Sequence, residues 1–583
     1  MAKENITCLP SEIICMILQN NDYRDIVKFG LTCKHFNSVV TVNQYIWKDK
    51  LKDLLPNDIF RLVEAHRDGK WFDAFKNYYQ VRKQVYYEII GMSAKYFNRL
   101  DSMKLEDVGM FFSLASADKL NYYYVIYILQ DVIRQAYKGM ENNHCKKPFT
   151  LTEVYYAKAV LRYLVQTYLT LKWVQAHLKN ELDPEVVLNL VVQWIDPLNF
   201  HLDEDVENAI NSLVMKVETL LPKDEHTIEP MSIPEKINKG FVTHKQVLNA
   251  ISQVMYRQMR MTIMSHANFD TLDIIKVIKN KCGSPITLAA IYSAVAKKCG
   301  VHCDLIAFPH HLILQWRNSN DSHQHVQYKI LLDTGELIPK GQCPFSNNFM
   351  ASHQNTQKYN PDSLLQYTVS SFLSTKGLIK DWYTQNSTHL LNFLSTHGSV
   401  ENPYRNFLSY LLDNTQIPAL NYPVELKVMM DCHREIIQAL AILNSSPPSI
   451  CRDVVVRHRN SSVKYAVGML CYHKKYDYMC LIRGWNLCCS EKQGLLDMNT
   501  LQLGSQQPFY NIVAVDQSSR YVAQENLIEI RHPTRVYHME DVIAKEFTHF
   551  DGFSYVPNSE KENEYPEDGP IRDIFRTRAE QQI

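Results

Sequence analysis

At 583 residues and 67.9 kDa, the chain is too long for a single hydrophobic core, so three or four domains are expected. Lys plus Arg and Asp plus Glu each number 62, a balance that argues against a protein built mainly to hold nucleic acid or an anionic membrane. A hydrophobic content of 46% with only 18 glycines points to a mostly folded, helix-rich chain.

The first amphipathic stretch runs from Leu9 to Leu51. After Leu9-Pro10, Ser11 is a candidate N-cap, and Ile13, Ile14, Ile17 and Leu18 fall on one helical face. Ile26, Phe29, Leu31, Cys33 and Phe36 form a second apolar set, and Trp47 closes the unit. So few residues cannot bury this much apolar surface alone, so part of it must pack on the rest of the chain or on another protein. Leu9-Pro10-x-Glu12-Ile13, the Leu31–Phe36 segment with Cys33-Lys34, and Ile46-Trp47-Lys48 together resemble an F-box. The resemblance implies a domain over 1–51 that docks on the Skp adaptor of cullin-based ubiquitin ligases. Its docking residues would be Leu9, Pro10, Ile13, Ile14, Ile17, Leu18, Ile26, Leu31, Phe36 and Trp47.

From Trp71 to about Leu221 the pattern is helical and rich in tyrosine, with apolar residues at three- and four-residue steps. Tyrosine suits half-buried helix faces, so 52–221 reads as a helical spacer rather than a stacking platform. Pro222 to Pro234 is polar with three prolines and reads as a linker.

The next region, 237–345, opens a buried helix at Gly283-Ser284-Pro285-Ile286. Ser284 suits the N-cap, Pro285 the first helical position, and Gly300 the C′ position. Three strand-like runs follow, CDLIAF, LILQWR and VQYKILLD, with His310-His311 between the first two and Asp333 ending the third. A buried helix followed by a short antiparallel sheet with His and Asp at strand ends is the layout of a cysteine-type hydrolase or acyl transferase. Gly283-x-Pro285-Ile286-Thr287-Leu288, Ala296-x-x-x-Gly300-Val301 and Phe308-Pro309-x-His311 resemble the transglutaminase-like domain of the bacterial SirB type. By that resemblance His311 and Asp333 match two members of a triad, but Ser284-Pro285-Ile286 stand where the nucleophilic Cys belongs. Leu312 and Thr334-Gly335-Glu336 also depart from the family pattern. The expectation is a retained fold without catalysis, used as a cleft for a protein segment. Cys282, three residues early, is the one candidate replacement thiol. Cys299-x-x-His302-Cys303, with His310, His311, His323 and His325, contains zinc-ligand types at a spacing that fits no zinc pattern, so neither metal nor cofactor is expected.

Residues 361–445 read as helical hairpins, and the Asn444–Ser449 stretch as a break. In 455–555, short β-rich runs separated by Gly, Asp, Asn and Gln fit a small antiparallel barrel. Ile482-x-Gly484-Trp485, Gln507–Tyr510 and Arg520–Leu527 resemble the YccV/HspQ family, often called the hemimethylated-DNA-binding domain. Residues 452–530 hold nine Lys and Arg against seven Asp and Glu, and a net of +2 is a weak footprint for tracking phosphates. A protein-binding barrel fits the F-box better, with Trp485, Phe509, Tyr510, Tyr521 and Asn526 as candidate client-binding residues. Residues 556–583 read as an acidic tail, extended against the barrel or disordered.

No run of about eighteen apolar residues occurs, and MAKENITCLP lacks the apolar core of a signal peptide. Fourteen irregularly spaced cysteines read as reduced thiols, so a soluble protein of the cytoplasm or nucleus is expected. The fold class is multidomain α+β. The implied function is substrate receptor of a Skp–cullin–F-box ligase, with adaptor, cullin scaffold and client proteins as partners and no membrane. The alternatives are a DNA-binding protein acting through the barrel, and a thiol enzyme at Cys282, His311 and Asp333.

Overall fold

Four short helices, each with one apolar face, build the N-terminal bundle: α1 (Ser11–Gln19), α2 (Tyr23–Gly30), α3 (Lys34–Val42) and α4 (Gln44–Leu54). They belong to a computed structural model that describes residues 9–66, 68–141, 149–199, 203–222, 231–307, 312–317, 327–339, 357–377, 381–394, 450–489 and 501–580. Among these residues no helix is long and apolar enough to cross a membrane. Asp22 caps α2 by accepting the Arg24 N–H at 2.8 Å, and Asn43 caps α4 through the Tyr45 N–H at 3.2 Å. Ser11 is not a cap. It is the first helical residue, and the Pro10 carbonyl accepts from Ile13 and Ile14 instead.

The chain divides into two compact units, one from 9–164 with 450–580 and one from 165–394. In the first, α5 (Asn57–His66) and the 26-residue α6 (Trp71–Tyr96) follow the bundle. Trp47 is fully buried, donates from Nε1 to the Val40 carbonyl at 2.8 Å, and packs on Phe72 and Phe75 of α6. That aromatic cluster joins the bundle to α6. Tyr78, Tyr122, Tyr124 and Tyr156 line the core of the helical layer that continues through Asn121–Glu141.

The same unit holds a five-stranded antiparallel sheet in the order Ser519–Ala523, Phe509–Ala514, Tyr478–Asn486, Leu470–His473, Leu527–Glu529. A separate hairpin pairs Phe547–Phe550 with Tyr555–Pro557. Gly468, at φ +93°, passes so close to Tyr555 that a Cβ would stand 2.0 Å from its carbonyl oxygen, so no other residue fits. The sheet is tied to the helical layer by Thr152 Oγ1 donating to the Phe547 carbonyl (3.2 Å), Lys158 with Asp541 (2.5 Å) and Ser93 with Glu560 (2.8 Å).

The acidic tail lies against the sheet, as one of its two expected states had it, but is helical and not extended. Residues 559–564 and 569–580 are helical, and Glu564 and Asp568 are buried as counter-ions of Arg452 and Arg459. Carboxylates that look solvated in a sequence are internal here because their cations lie a hundred residues earlier in the chain.

In the second unit, the helix Pro285–Lys298 is buried from Ile286 to Ala296 on every face. Ser284 caps it as expected, and Gly300, at φ +82°, ends it with its N–H on the Lys297 carbonyl. An antiparallel sheet in the order Leu337–Pro339, Gln327–Ile330, Leu312–Arg317, Cys303–Ala307, Gln357–Lys358 follows it. A helix buried all round needs cover beyond one sheet. Pro184–Ile195 and Asp203–Leu220 supply it, so the expected spacer over 52–221 is split between the two units. The helices Pro361–Lys376 and Trp382–Leu394 also pack on Pro184–Ile195, with Asn386 donating to the Ile195 carbonyl at 3.1 Å. The hairpins expected over 361–445 therefore begin inside this unit, and their remainder lies outside the described residues.

Candidate functional site

Helix periodicity divides the N-terminal isoleucines. On α1, Ile14 and Leu18 face inward at 1% and 4% exposure, whereas Ile13 and Ile17 remain 42% and 50% exposed. Leu9, at 38%, and Met16, at 65%, extend the outer stripe, and Pro10 is exposed beside it. Leu31, Val27, Val42 and Tyr45 are further exposed apolar side chains of the bundle. Of the ten residues assigned to docking, Ile14, Leu18, Ile26, Phe36 and Trp47 are buried in the bundle's own core. Their role is to hold the helices together: Phe36 packs on Phe29 at 4.2 Å and donates its N–H to Cys33 Sγ, the cap of α3, at 3.4 Å. Sequence reasoning missed Met16, Val27, Val42 and Tyr45. Met16 was findable, since it lies three residues from Ile13 on the same helical face.

The transglutaminase-like segment puts no thiol at its helix start. Ser284 is buried, its Oγ 2.9 Å from Thr287 Oγ1, and its backbone N–H donates to Thr271. Thr287 Oγ1 donates to the same Thr271 carbonyl at 2.9 Å. These bonds tie the helix N-terminus into the interior instead of presenting it to a substrate. Cys282 is half-buried on a two-residue strand paired with Thr262. Asp333 is exposed in a tight turn closed by the Gly335 N–H on the Leu331 carbonyl at 2.8 Å. His310, His311, His323 and His325 lie outside the described residues. Cys299 and Cys303 are buried and their thiols are pushed up to about 12 by that burial, which disfavours the thiolate a metal requires. His302 is exposed and faces Asp304 at 3.3 Å.

In the C-terminal sheet, Trp485, Phe509 and Tyr510 are 1% exposed or less: Phe509 and Tyr510 lie in the core, and Trp485 is covered by Tyr565 and Asp568 of the chain's own tail. This corrects the assignment of Phe509 and Tyr510 as client-binding residues: in so small a sheet the large aromatics are needed inside. Tyr521 is half-buried, stacked on Phe509 at 5.3 Å, and accepts a bond from Asn486. Asn526 is half-buried, and its carbonyl accepts the Lys474 N–H at 2.8 Å. The conspicuous motifs are scaffolding. Gln524 accepts from Lys464 N and Tyr510 Oη, Gln507 accepts from Glu525 N, and the Glu525 carboxylate takes the N–H groups of Gln502 and Leu503.

Compared with known families, residues 6–52 match the F-box-like family, 204–369 the transglutaminase-like superfamily, and 463–554 the family described as hemimethylated DNA-binding protein YccV like. Two curated relatives, F-box only protein 21 of Mus musculus and of Homo sapiens, are each 24% identical, over 96% of this chain and 92% of their own length. The chain is similar to F-box only protein 21 from end to end. All three segments expected from the motifs are thus present, in the expected order. The transglutaminase-like match starts at 204, within the helix that covers Pro285–Lys298, and not at 237. No solved structure matches the chain.

Proposed function

We propose that this chain is the substrate-recognition subunit of a Skp–cullin–F-box ubiquitin ligase, acting in the cytoplasm or nucleus. The F-box docks on the Skp adaptor, and the C-terminal parts of the chain hold client proteins. The observation that carries this reading is the outer stripe of α1. Leu9, Ile13, Met16 and Ile17 stay in water although Ile14 and Leu18 beside them are sealed. An apolar stripe kept exposed on an otherwise well-packed bundle is costly unless a partner covers it. The similarity to F-box only protein 21 supports the same role.

The protein performs no covalent step in this reading. Ubiquitin transfer is accelerated by holding a client close to a charged carrier enzyme, so what the chain contributes is proximity and orientation. The buried Ser284 at the helix start, where a nucleophile would have to meet substrate, supports a transglutaminase-like unit kept for its shape.

The test is capture. Purified Skp adaptor and cullin should co-purify with the intact chain, and not with a chain carrying Ile13→Asp and Ile17→Asp. Undiminished capture by that folded variant sinks the reading.

A further inference from the structure

Residues 450–460 run without helix or strand from the end of α6 to the C-terminal sheet, and carry Arg452, Arg457, His458 and Arg459. Each of these four basic residues meets the same short stretch of the tail, Glu564-Tyr565-Pro566-Glu567-Asp568. Arg452 reaches the Glu564 carboxylate at 2.5 Å. The Arg457 N–H donates to the Glu564 carbonyl at 2.9 Å, and its guanidinium lies 5.6 Å from the centre of the Tyr565 ring. His458 Nδ1 is 3.2 Å from Glu567, whose other oxygen accepts the Arg459 N–H at 2.7 Å. The Arg459 guanidinium pairs with Asp568, which also accepts from Trp485 Nε1 at 3.0 Å and from the Val467 N–H at 2.7 Å. Tyr565 meets Trp485 edge-on at 5.4 Å and presses so close to Gly484 that a Cβ there would stand 2.3 Å from its hydroxyl.

This arrangement has the features of a bound peptide. One face supplies three arginines, a histidine, a tryptophan and a glycine that makes room for a ring. The other is a five-residue acidic segment with one aromatic residue, and most of its contacts run through side chains at fixed spacing. Past Asp568 the helix Gly569–Glu580 buries none of its residues and is held through Arg572, which donates to the Val467 carbonyl at 3.2 Å, and Arg576, which pairs with Asp551.

We propose that the basic strap 452–459, with Trp485 and Gly484, is a recognition groove for acidic protein segments carrying a Tyr-Pro step, and that the chain's own Glu564–Asp568 occupies it as a resident competitor. A client segment of the same character replaces like contacts with like, so the exchange costs little in buried charge. The resident copy's advantage is its tether, equivalent to an effective concentration on the order of millimolar. The groove therefore selects clients that are locally concentrated or carry a better version of the motif. This inference rests on the receptor reading for its biological sense, but peptide binding is measured without the adaptor, so the two fail separately.

The probe is a fluorescent peptide of the tail's own sequence, Glu-Asn-Glu-Tyr-Pro-Glu-Asp, titrated against the full chain by anisotropy. The intact protein should bind it weakly. Glu567→Ala, which removes only the rim contacts to His458 and the Arg459 N–H, should bind at least tenfold more tightly, and adding Arg457→Glu should abolish the gain. Should a variant fail to fold, hydrogen exchange on the unaltered protein decides: excess unlabelled peptide should speed exchange at the amides of 562–568 and leave α6 unchanged. Equal, salt-insensitive or absent binding in both forms, with tail exchange indifferent to peptide, would overturn the proposal.

Discussion

Replacing Ile17 by Asp separates docking from folding. Ile17 is 50% exposed, so a partner seated on α1 removes about 90 Å² of apolar surface there, worth about 2 kcal/mol at about 25 cal/mol per Å². Burying a carboxylate in the same contact adds a desolvation cost of at least about 2 kcal/mol. The sum of about 4 kcal/mol corresponds to about a thousandfold loss of adaptor affinity. The free protein keeps the new side chain in water, so its own stability should move by about 0.5 kcal/mol or less. Leu18→Ala supplies the contrast. At 4% exposure it lies in the core, and losing it should cost about 2–5 kcal/mol of stability with little effect on docking by molecules that remain folded. Titration of immobilised Skp adaptor, paired with thermal melting of each variant, reads both quantities. If Ile17→Asp melts like the parent and binds within threefold of it, the outer stripe of α1 is not the docking surface.

Further outcomes are expected elsewhere in the chain. Burial alone would raise the Glu546 carboxyl, but Lys561 at 3.5 Å and Arg483 at 2.6 Å hold it down to about 2 against an ordinary 4.5. A carboxyl depressed on folding adds stability that is complete above its unfolded value and drains as pH falls through the folded one. Glu546→Gln should therefore flatten the acid limb of an unfolding curve between pH 4.5 and 2, and a limb of unaltered slope refutes this. Asp568→Ala strands the buried Arg459 and the Trp485 N–H, and should cost about 3–5 kcal/mol in urea unfolding; a loss under about 1 kcal/mol would show that the pair is not needed. Glu185 is pushed up to about 7 by burial, so stability should fall as pH rises from 4.5 to 7, and Glu185→Gln should remove that slope. Cys282 should be alkylated at neutral pH no faster than exposed Cys33, and mass spectrometry finding it the first thiol modified would revive the thiol-enzyme alternative.

What could be read in advance differs by region for physical reasons. The start and stop of Pro285–Lys298 were legible because capping is local: Ser284, Pro285 and Gly300 each act on a backbone group within a few residues. Which isoleucines of α1 would be exposed was only half legible. Ile13, Ile14, Ile17 and Leu18 occupy a broad arc, and the boundary between its buried and open halves is set by where α3 and α4 lie. Phe509 and Tyr510 invited a surface role as motif aromatics, yet a five-stranded sheet has few other large side chains with which to fill its interior.

The order of the three segments, their α+β character and the caps of the helix Pro285–Lys298 were determined by the sequence itself, since each depends on neighbours along the chain. Tertiary structure decided the rest: that 52–221 divides between two units, and that the acidic tail lies inside and not in solvent. It also decided that the outer half of α1 stays uncovered. Those outcomes turn on groups more than a hundred residues apart, such as Arg459 and Asp568, and no local pattern records which distant charge a carboxylate will meet.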